Sequence, residues 1–386
     1  MIDRTLTEEL QRQATWFPVV SVTGPRQSGK STLVRSVFPE HTYLNLEDPQ
    51  LRMAAVSDPV GFIRSRPGRL IIDEAQYAPE LFSMVQVVSD EAGEVGRYVL
   101  SGSQNFLLLK NIAQSLAGRV GLLKLPPLSF AEARSADGTL DTDEFMLRGG
   151  YPRIYATGMP PRAFFRSYID TYLERDIAGY LDVRNLTSFR VFLRLCALNA
   201  GNLLNFSSLA RDAAIDARTA KSWLSMLESS YVAFRLMPYY ANEGKRLTKT
   251  SKLYFLDTGL LCYLMGIRDV EQLRTSQHLG AIFENLVVAE TLKGYLNRGE
   301  RPRLFFYRDD NGAEIDLLDY TDELAPVAIE IKSGQTYRDS FARHLGTVGE
   351  ALGISSERRF VVSRVADSFQ AKGALVKSAT DWLTSL

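Results

Sequence analysis

The sequence predicts an α/β protein of two to three domains, since 386 residues divide by about 150 per domain. Its expected parts are a parallel β-sheet covered by helices over roughly residues 17–130, a helical middle and a second, smaller α/β unit. Three observations carry this. Short apolar, β-rich runs alternate with helical stretches in the first third. From about 131 to 230, apolar residues recur at three- and four-residue spacing, the helical period. After Tyr231, strands return and alternate again with helices.

In order, residues 1–16 read as a short amphipathic helix. FPVVSVTGP is a β-run that ends in glycine, and a helix follows from Lys30 to about Phe38. TYLNLED, RLIIDEA, GRYVLSGSQ and RVGLLKLPPLS supply four more strands, separated by the helical DPVGFIRSR, PELFSMVQVVSDEAG and LLLKNIAQSLAG. Buried strands alternating with helices imply a parallel sheet covered on both faces. RAFFRSYIDTYLERDIAGYLD and TSFRVFLRLCALNAG are helical, with turns at Gly149, Gly150 and Pro152 before them. YVAFRLMPYY and KLYFLD read as strands around the polar ANEGKRLTKTS. The last third reads as a helix (GAIFENLVVAETLKGYL), three strands (RLFFYRD, AEIDLLDY, PVAIEIKSG), a helix (SFARHLGTVGEAL) and a strand (RRFVVSRV).

Composition narrows the class. Hydrophobic residues are 45% and charged residues 23%, the balance of a globular chain. Lys plus Arg (45) equals Asp plus Glu (45), so any nucleic-acid contact needs a local basic face. No apolar run reaches the roughly 18 residues of a membrane span, and the acidic start does not read as a signal peptide. Cys196 and Cys262 stand far apart in apolar surroundings, and only three histidines occur. Zinc or cysteine chemistry is not expected, and the reading is a reduced, cytoplasmic protein without a membrane partner.

Gly24-Pro25-Arg26-Gln27-Ser28-Gly29-Lys30-Ser31 matches G-x-x-x-x-G-K-[ST], with a strand entering and a helix leaving. Glycines let backbone N–H groups turn around phosphate oxygens, and the helix adds its positive N-terminus. Lys30 is expected to reach the β/γ-phosphates of ATP and Ser31 to ligate Mg²⁺, with Thr32 beside it. Leu70-Ile71-Ile72-Asp73-Glu74 is an apolar strand ending in two carboxylates. Asp73, at the end of a neighbouring parallel strand, is expected opposite Ser31 in the magnesium shell, and Glu74 is expected to polarise the attacking water. Ser103, after the strand YVLSG, reads either as a sensor of the γ-phosphate or as a plain turn residue. Arg119 reads either as an arginine acting on phosphate across a subunit interface or as a salt-bridged surface residue.

GPRQSGKST, LIIDEAQ, LSGS and LAGR, in this order and spacing, resemble the AAA+ ATPases of bacteria and archaea whose C-terminal half is catalogued as a domain of unknown function. RGGYPRIY, YLERDI, KLYFLDTGLLCYLMG, GAIFENLVVAE and AIEIKSG resemble later segments of the same family, so the likeness covers nearly the whole chain. It implies an AAA+ core, a winged-helix segment, a restriction-endonuclease-like terminal domain and self-association, as a hexamer. The expected partition is residues 1–130 for the ATPase core, 131–200 for a helical lid or linker, 201–257 for the winged-helix-like part and 258–386 for the PD-(D/E)XK nuclease-like part.

Residues 206–230 also make a helix-turn-helix candidate on their own. NFSSLARDAAI is a short helix, and Asp216 is placed to cap ARTAKSWLSMLESS. Ala210, Ile215, Ala220, Trp223, Leu224 and Leu227 form the inward face. Arg218, Thr219, Lys221 and Ser222 stand near the N-terminal turn that meets DNA in such motifs. The following basic loop, with Lys245, Arg246, Lys249 and Lys252 against Glu243, has the character of a wing contacting phosphates. A rigid adaptor between domains is the competing reading.

In the last third, Asp316 ends GAEIDLL and Glu330-Ile331-Lys332 follows on the next strand. Residues two apart on a strand share a face, so Glu330 and Lys332 project together, and Asp316 joins them if the strands pair. Glu284 on the preceding helix offers a further carboxylate. Such a set can hold Mg²⁺ and activate water on a phosphodiester, and it is similar to the PD-(D/E)XK nuclease signature. Here Asp316, Glu330 and Lys332 match, whereas Glu314-Ile315 stands where the signature has Pro. Three functions follow: an AAA+ ATPase that handles or cuts DNA, a DNA motor on branched or forked DNA with an inactive nuclease fold, or a nucleotide-switched regulatory oligomer.

Overall fold

The computed structural model describes residues 2–103, 112, 114–173, 186–240 and 250–386. The chain divides into two compact units. The first comprises Met1–Pro127 with Ser229–Tyr231 and Leu296–Glu300; the second comprises Leu128–Glu228, Val232–Tyr295 and Arg301–Leu386.

All five strands expected in the first unit form: β1 (Val19–Thr23), β2 (Thr42–Asn45), β3 (Leu70–Asp73), β4 (Tyr98–Gly102) and β5 (Val120–Lys124). They make a parallel sheet in the order β2-β3-β4-β1-β5. Successive side chains on a strand point to opposite faces. In β3, Leu70 and Ile72 therefore enter one core with Phe62, Phe82 and Leu100, while Ile71 enters the other with Leu10, Val22 and Leu33. Burial on both faces is why these strands read as continuous apolar runs. Helices α1 (Leu6–Ala14) and α2 (Lys30–Val37) border the second core, and α3 (Pro49–Ser57), α4 (Pro59–Arg64) and α5 (Leu81–Ala92) lie along the rest of the unit. Asp48 and Asp58 cap the starts of α3 and α4, each with proline in the first turn, where a missing N–H costs nothing.

The second unit begins with helices α6 (Phe130–Ala136), α7 (Thr142–Arg148), α8 (Pro152–Thr157), α9 (Pro161–Tyr168) and α10 (Leu186–Leu198). Next come α11 (Phe206–Asp212) and α12 (Ala217–Ser229), then the antiparallel pair β6 (Ala233–Pro238) and β7 (Lys252–Phe255). Asp216 caps α12 as expected, accepting from the N–H groups of Arg218 and Thr219 and from the Thr219 hydroxyl.

The remaining elements are α13 (Thr258–Met265), α14 (Val270–Thr275), α15 (Leu279–Asn297), β8 (Leu304–Arg308), β9 (Glu314–Asp319), β10 (Val327–Lys332), α16 (Arg343–Ala351), β11 (Arg359–Ser363), β12 (Phe369–Ala371), β13 (Ala374–Ser378) and α17 (Ala379–Thr384). One mixed sheet of eight strands results, in the order β12-β13-β11-β10-β9-β8-β6-β7. Thus β6 and β7 join the same sheet as the last third, through β6 alongside β8.

Helix α15 is buried nearly all round and carries Asn285, Glu290, Thr291 and Lys293 into the interior. Each has a partner. Asn285 gives its amide N–H to the Phe255 carbonyl and accepts the Phe255 N–H. Lys293 pairs with Glu290, whose other oxygen accepts the Phe130 N–H. Among the described residues, no helix is long and apolar enough to cross a membrane, and Cys196 and Cys262 are free and buried.

Candidate functional site

After Thr23 the chain turns through Gly24–Gly29 into α2. Gly24 has φ +153°, and a Cβ there would stand 2.1 Å from the Leu125 carbonyl oxygen. Gly29, at the cap of α2, is left-handed with φ 94°, and Gln27 is too, with φ 61°. Only this curl brings the loop's main chain around one point at the helix N-terminus.

Lys30 is the first residue of α2 and 5% exposed. Its ammonium rests on the carbonyl oxygens of Gly24 (3.0 Å) and Pro25 (2.8 Å). Burial lowers its pKa to about 8, although Glu74 and Asp73 pull the other way. The Ser28 hydroxyl is buried, has no partner among the described residues and faces Gly24 across the loop. Arg26 approaches Glu47 at 3.9 Å, and Thr32 is exposed. A hydroxyl and a lysine that have, among the described residues, no partner and no direct counter-ion, at a helix N-terminus, fit a polyphosphate.

Asp73 ends β3 and is 3% exposed. It accepts from Ser101 Oγ (2.5 Å), the Tyr43 hydroxyl (2.6 Å) and the Glu74 N–H (3.1 Å). One expectation needs correction: β3 is not the neighbour of β1, because β4 runs between them. Asp73 and Ser31 nonetheless both lie near the Tyr43 hydroxyl, which donates to Asp73 Oδ2 at 2.6 Å.

Glu74 adopts a left-handed backbone with φ 52°, a conformation that costs a non-glycine residue about 1 kcal/mol. Its Oε2 accepts from Gln76 Nε2 (2.5 Å), Ser103 Oγ (3.1 Å) and the Ser103 N–H (3.3 Å). Ser103 is therefore tied to Glu74. Arg119 instead grips Asp90 through two guanidinium nitrogens, at 2.6 and 2.9 Å. It precedes β5 at that strand's amino end, whereas the phosphate loop leaves the carboxyl end of the adjacent, parallel β1.

A second charged site lies in the second unit. Strands β9 and β10 pair antiparallel, and Asp316 Oδ2 accepts the Ile331 N–H at 2.7 Å. Lys332 bridges Asp316 (3.3 Å) and Glu330 (2.6 Å), so the three residues converge. Glu330 Oε2 is buried and has no partner among the described residues. Burial and the nearby Asp316 raise the Glu330 pKa to about 8 and that of Glu284 to about 7.

Glu284 does not complete a three-carboxylate metal cage. Among the described residues no group of three or more His, Cys, Asp or Glu stands in a metal-holding arrangement. The Glu284 carboxylate goes instead to Lys252 (3.1 Å) and the Tyr254 hydroxyl (2.6 Å), and Lys252 also binds Glu314 at 2.6 Å. This corrects the reading of Lys252 as part of an exposed basic loop, because it is a buried strand residue held by two carboxylates. Arg218, Lys221 and Ser222 are exposed on α12, and the Lys221 ammonium lies 5.7 Å from the Phe206 ring. Lys245, Arg246 and Lys249 lie outside the described residues.

Sequence reasoning missed Tyr43, Ser101, Gln76, Tyr254 and Glu314. Ser101 had a signal, since it shares a strand face with Ser103. It pairs in register with Asp73, which only the strand order reveals.

A sequence model of an AAA domain matches residues 17–134, and models of two domains of unknown function, DUF8612 and DUF4143, match 139–271 and 279–381. The uncharacterized protein MJ1544 of Methanocaldococcus jannaschii is 24% identical, over 82% of this chain and 76% of its own. The solved Walker-type ATPase PABY2304 of Pyrococcus abyssi aligns over 68% of this chain and 96% of its own, with 17% identity and a TM-score of 0.44. The uncharacterized protein Rv2008c of Mycobacterium tuberculosis is 33% identical, over 99% of this chain and 87% of its own. The chain therefore belongs to the family that includes Rv2008c, and residues 17–134 are its AAA P-loop domain.

Proposed function

We propose that the chain is a Mg²⁺-dependent AAA+ ATPase that acts on DNA. One observation carries the ATPase reading: Lys30, Ser31, Asp73, Glu74 and Ser103 converge at the carboxyl edge of one parallel sheet. The loop from Gly24 to Gly29 cradles the triphosphate, and Lys30 leaves the carbonyls of Gly24 and Pro25 for the β/γ-oxygens. Mg²⁺, held through Ser31 and Asp73, supplies positive charge against the phosphate oxygens. Glu74 accepts the proton of the attacking water. Among the described residues its donors all bind Oε2, which leaves Oε1 for that water. Ser103 holds the carboxylate in place, and the Glu74 backbone strain suits a side chain aimed at substrate.

Arg119 stands six residues from the start of its own phosphate loop along the sheet, roughly 20 Å at the rise of a strand. Any phosphate it meets belongs to another copy, which supports a ring-like, hexameric assembly. DNA contact is assigned to Arg218 and Lys221, exposed at the capped start of α12. Asp316, Glu330 and Lys332 are the residues for metal-assisted strand cleavage, with the unpartnered Glu330 Oε2 as the open ligand position. A second reading, a motor with an inactive nuclease fold, is favoured by Lys252, which already neutralises Glu284 and Glu314.

The test is ATP turnover by the full chain, in Mg²⁺ and in EDTA, without DNA and with linear, forked and four-way DNA. Mg²⁺-dependent turnover raised by DNA is the expected result. Turnover indifferent to every DNA sinks the DNA reading, and no turnover sinks the ATPase. Loss of duplex cleavage in Asp316→Ala separates nuclease from motor.

A further inference from the structure

Arg4 stands two residues before α1, outside every motif of the sequence. Its main chain is fixed from within the helix: the Arg4 carbonyl accepts the Thr7 N–H at 3.0 Å, and Leu6 and Leu10 pack in the core with Val22 and Leu33. From there the buried guanidinium donates to two distant carbonyls. Nη1 reaches Ser28, 24 residues on, at 2.8 Å, and Nη2 reaches Pro126, 122 residues on, at 2.7 Å.

The phosphate loop is thereby held at both ends against the exit of β5. At its start, a Cβ on Gly24 would stand 2.1 Å from the Leu125 carbonyl oxygen, and the Thr23 carbonyl accepts the Leu125 N–H at 2.7 Å. At its end, Ser28 is tied to Pro126 through Arg4. Between the two anchors Gln27 is left-handed, with φ 61°, a conformation that an L-residue keeps only where its surroundings hold it.

The same grip sets the direction of an amide. Among the described residues no peptide bond is cis, and in a trans peptide the carbonyl and the following N–H point opposite ways. With the Ser28 carbonyl turned to Arg4, the Gly29 N–H points away from it. Among the described residues, none of the N–H groups of Gly29, Lys30, Ser31 and Thr32 donates to a main-chain carbonyl. Successive open donors at the start of α2 make a nest for phosphate oxygens, and Arg4 fixes the first of them.

We propose that Arg4 is a positioning residue of the nucleotide site, whose two-pronged grip on Ser28 and Pro126 holds the phosphate loop in its anion-binding shape before nucleotide arrives. The inference rests on the ATPase reading and adds to it a residue that works through the main chain alone. A loop ordered in advance spares binding the cost of ordering it. A hydrogen bond to a charged group is worth about 10- to 100-fold in affinity.

The test uses the full chain as parent, Arg4→Met and Leu6→Ala. Met keeps the apolar stem of Arg4 and removes its donors. Leu6→Ala loosens α1 and leaves the fork, so it is the control for a merely structural loss. Hydrogen–deuterium exchange of the nucleotide-free proteins reads the order of residues 24–33. Binding of N-methylanthraniloyl-ADP is measured in Mg²⁺ and in EDTA, turnover at saturating ATP is followed, and thermal melting checks the fold.

Arg4→Met is expected to exchange faster over residues 24–33 and as the parent does in the rest of the first unit. Its affinity is expected to fall about 10- to 100-fold, equally in both buffers, with turnover at saturating ATP within about twofold of the parent. Leu6→Ala is expected to melt earlier and to bind as the parent does. Parent-like affinity or loop exchange in Arg4→Met overturns the proposal. So does a loss confined to Mg²⁺, which would place the effect on the metal. Failure of Arg4→Met to fold, faster exchange throughout the unit, or an equal affinity loss in Leu6→Ala makes the role structural and overturns it too. A parent that binds no nucleotide in either buffer is a different failure, that of the ATPase reading itself, and takes the inference with it.

Discussion

Lys30 and Lys252 are both buried, at 5% and 3% exposure, yet they titrate in opposite directions. Burial lowers the pKa of Lys30 to about 8. At Lys252 burial acts the same way but is outweighed by Glu284, Asp316 and Glu314, and the pKa is raised. Among the described residues the Lys30 ammonium hydrogen-bonds main-chain carbonyls, and its carboxylates act from a distance. Lys252 has direct ion pairs on two sides. A buried cation without a contacting counter-ion calls for an external anion, whereas one clamped by two carboxylates is part of the scaffold. The first site is arranged to receive charge, and much of the second already has its own.

The sharpest attack on this contrast is at Glu74. Glu74→Gln should slow hydrolysis by about 10²- to 10⁴-fold, with ATP affinity nearly unchanged, as paired turnover and binding assays will show. A parent-like rate would remove the proposed base. Next comes the scaffold role of Lys252. Lys252→Met leaves two partly buried carboxylates without their cation and should cost about 3 kcal/mol in urea unfolding; a much smaller loss would mean that Lys252 is dispensable to the second unit.

Protonation gives a smaller effect at each of the two sites, and both effects are lost as pH rises. Triphosphate binding needs Lys30 charged, so affinity should fall as pH rises past about 8, by at most about tenfold per pH unit for one proton. In the second unit, the folded-state values of Glu330 (about 8) and Glu284 (about 7) lie above the ordinary 4.5. The native state thus holds protons that the unfolded chain releases, and stability is lost as pH climbs from about 4.5 to 8. Glu330→Gln should flatten that decline in melts taken across this range. The least effect is expected at Arg119, whose pairing with Asp90 is solvent-exposed. Arg119→Ala should leave the melting temperature unchanged, and any change in turnover should appear only at concentrations where copies associate.

The first unit was legible because its signals are local. Glycine and lysine spacing fixes the phosphate loop, and strands buried on both faces announce themselves as apolar runs. The strand order is not local, and the insertion of β4 between β1 and β3 made Ser101 a partner of Asp73. Lys252 was misread for a related reason. Its sequence neighbours Arg246, Lys249, Thr250 and Ser251 are polar, while the partners that bury it, Glu284 and Glu314, are distant in the chain. Strands β12 and β13 were missed because each is short, and their pattern is completed only by pairing with each other and with β11.

Strand β7 forms one rim of the eight-stranded sheet, and its outer main-chain groups are already engaged. Those of Ser251 and Leu253 bond Gly201, Asn202 and Leu204, and Asn285 saturates both polar groups of Phe255. At the far rim, β12 is only three residues long. The broad sheet thus offers a foreign chain little to zip onto at either border, and protection against fibrillar stacking is built into the same helix that carries Glu284.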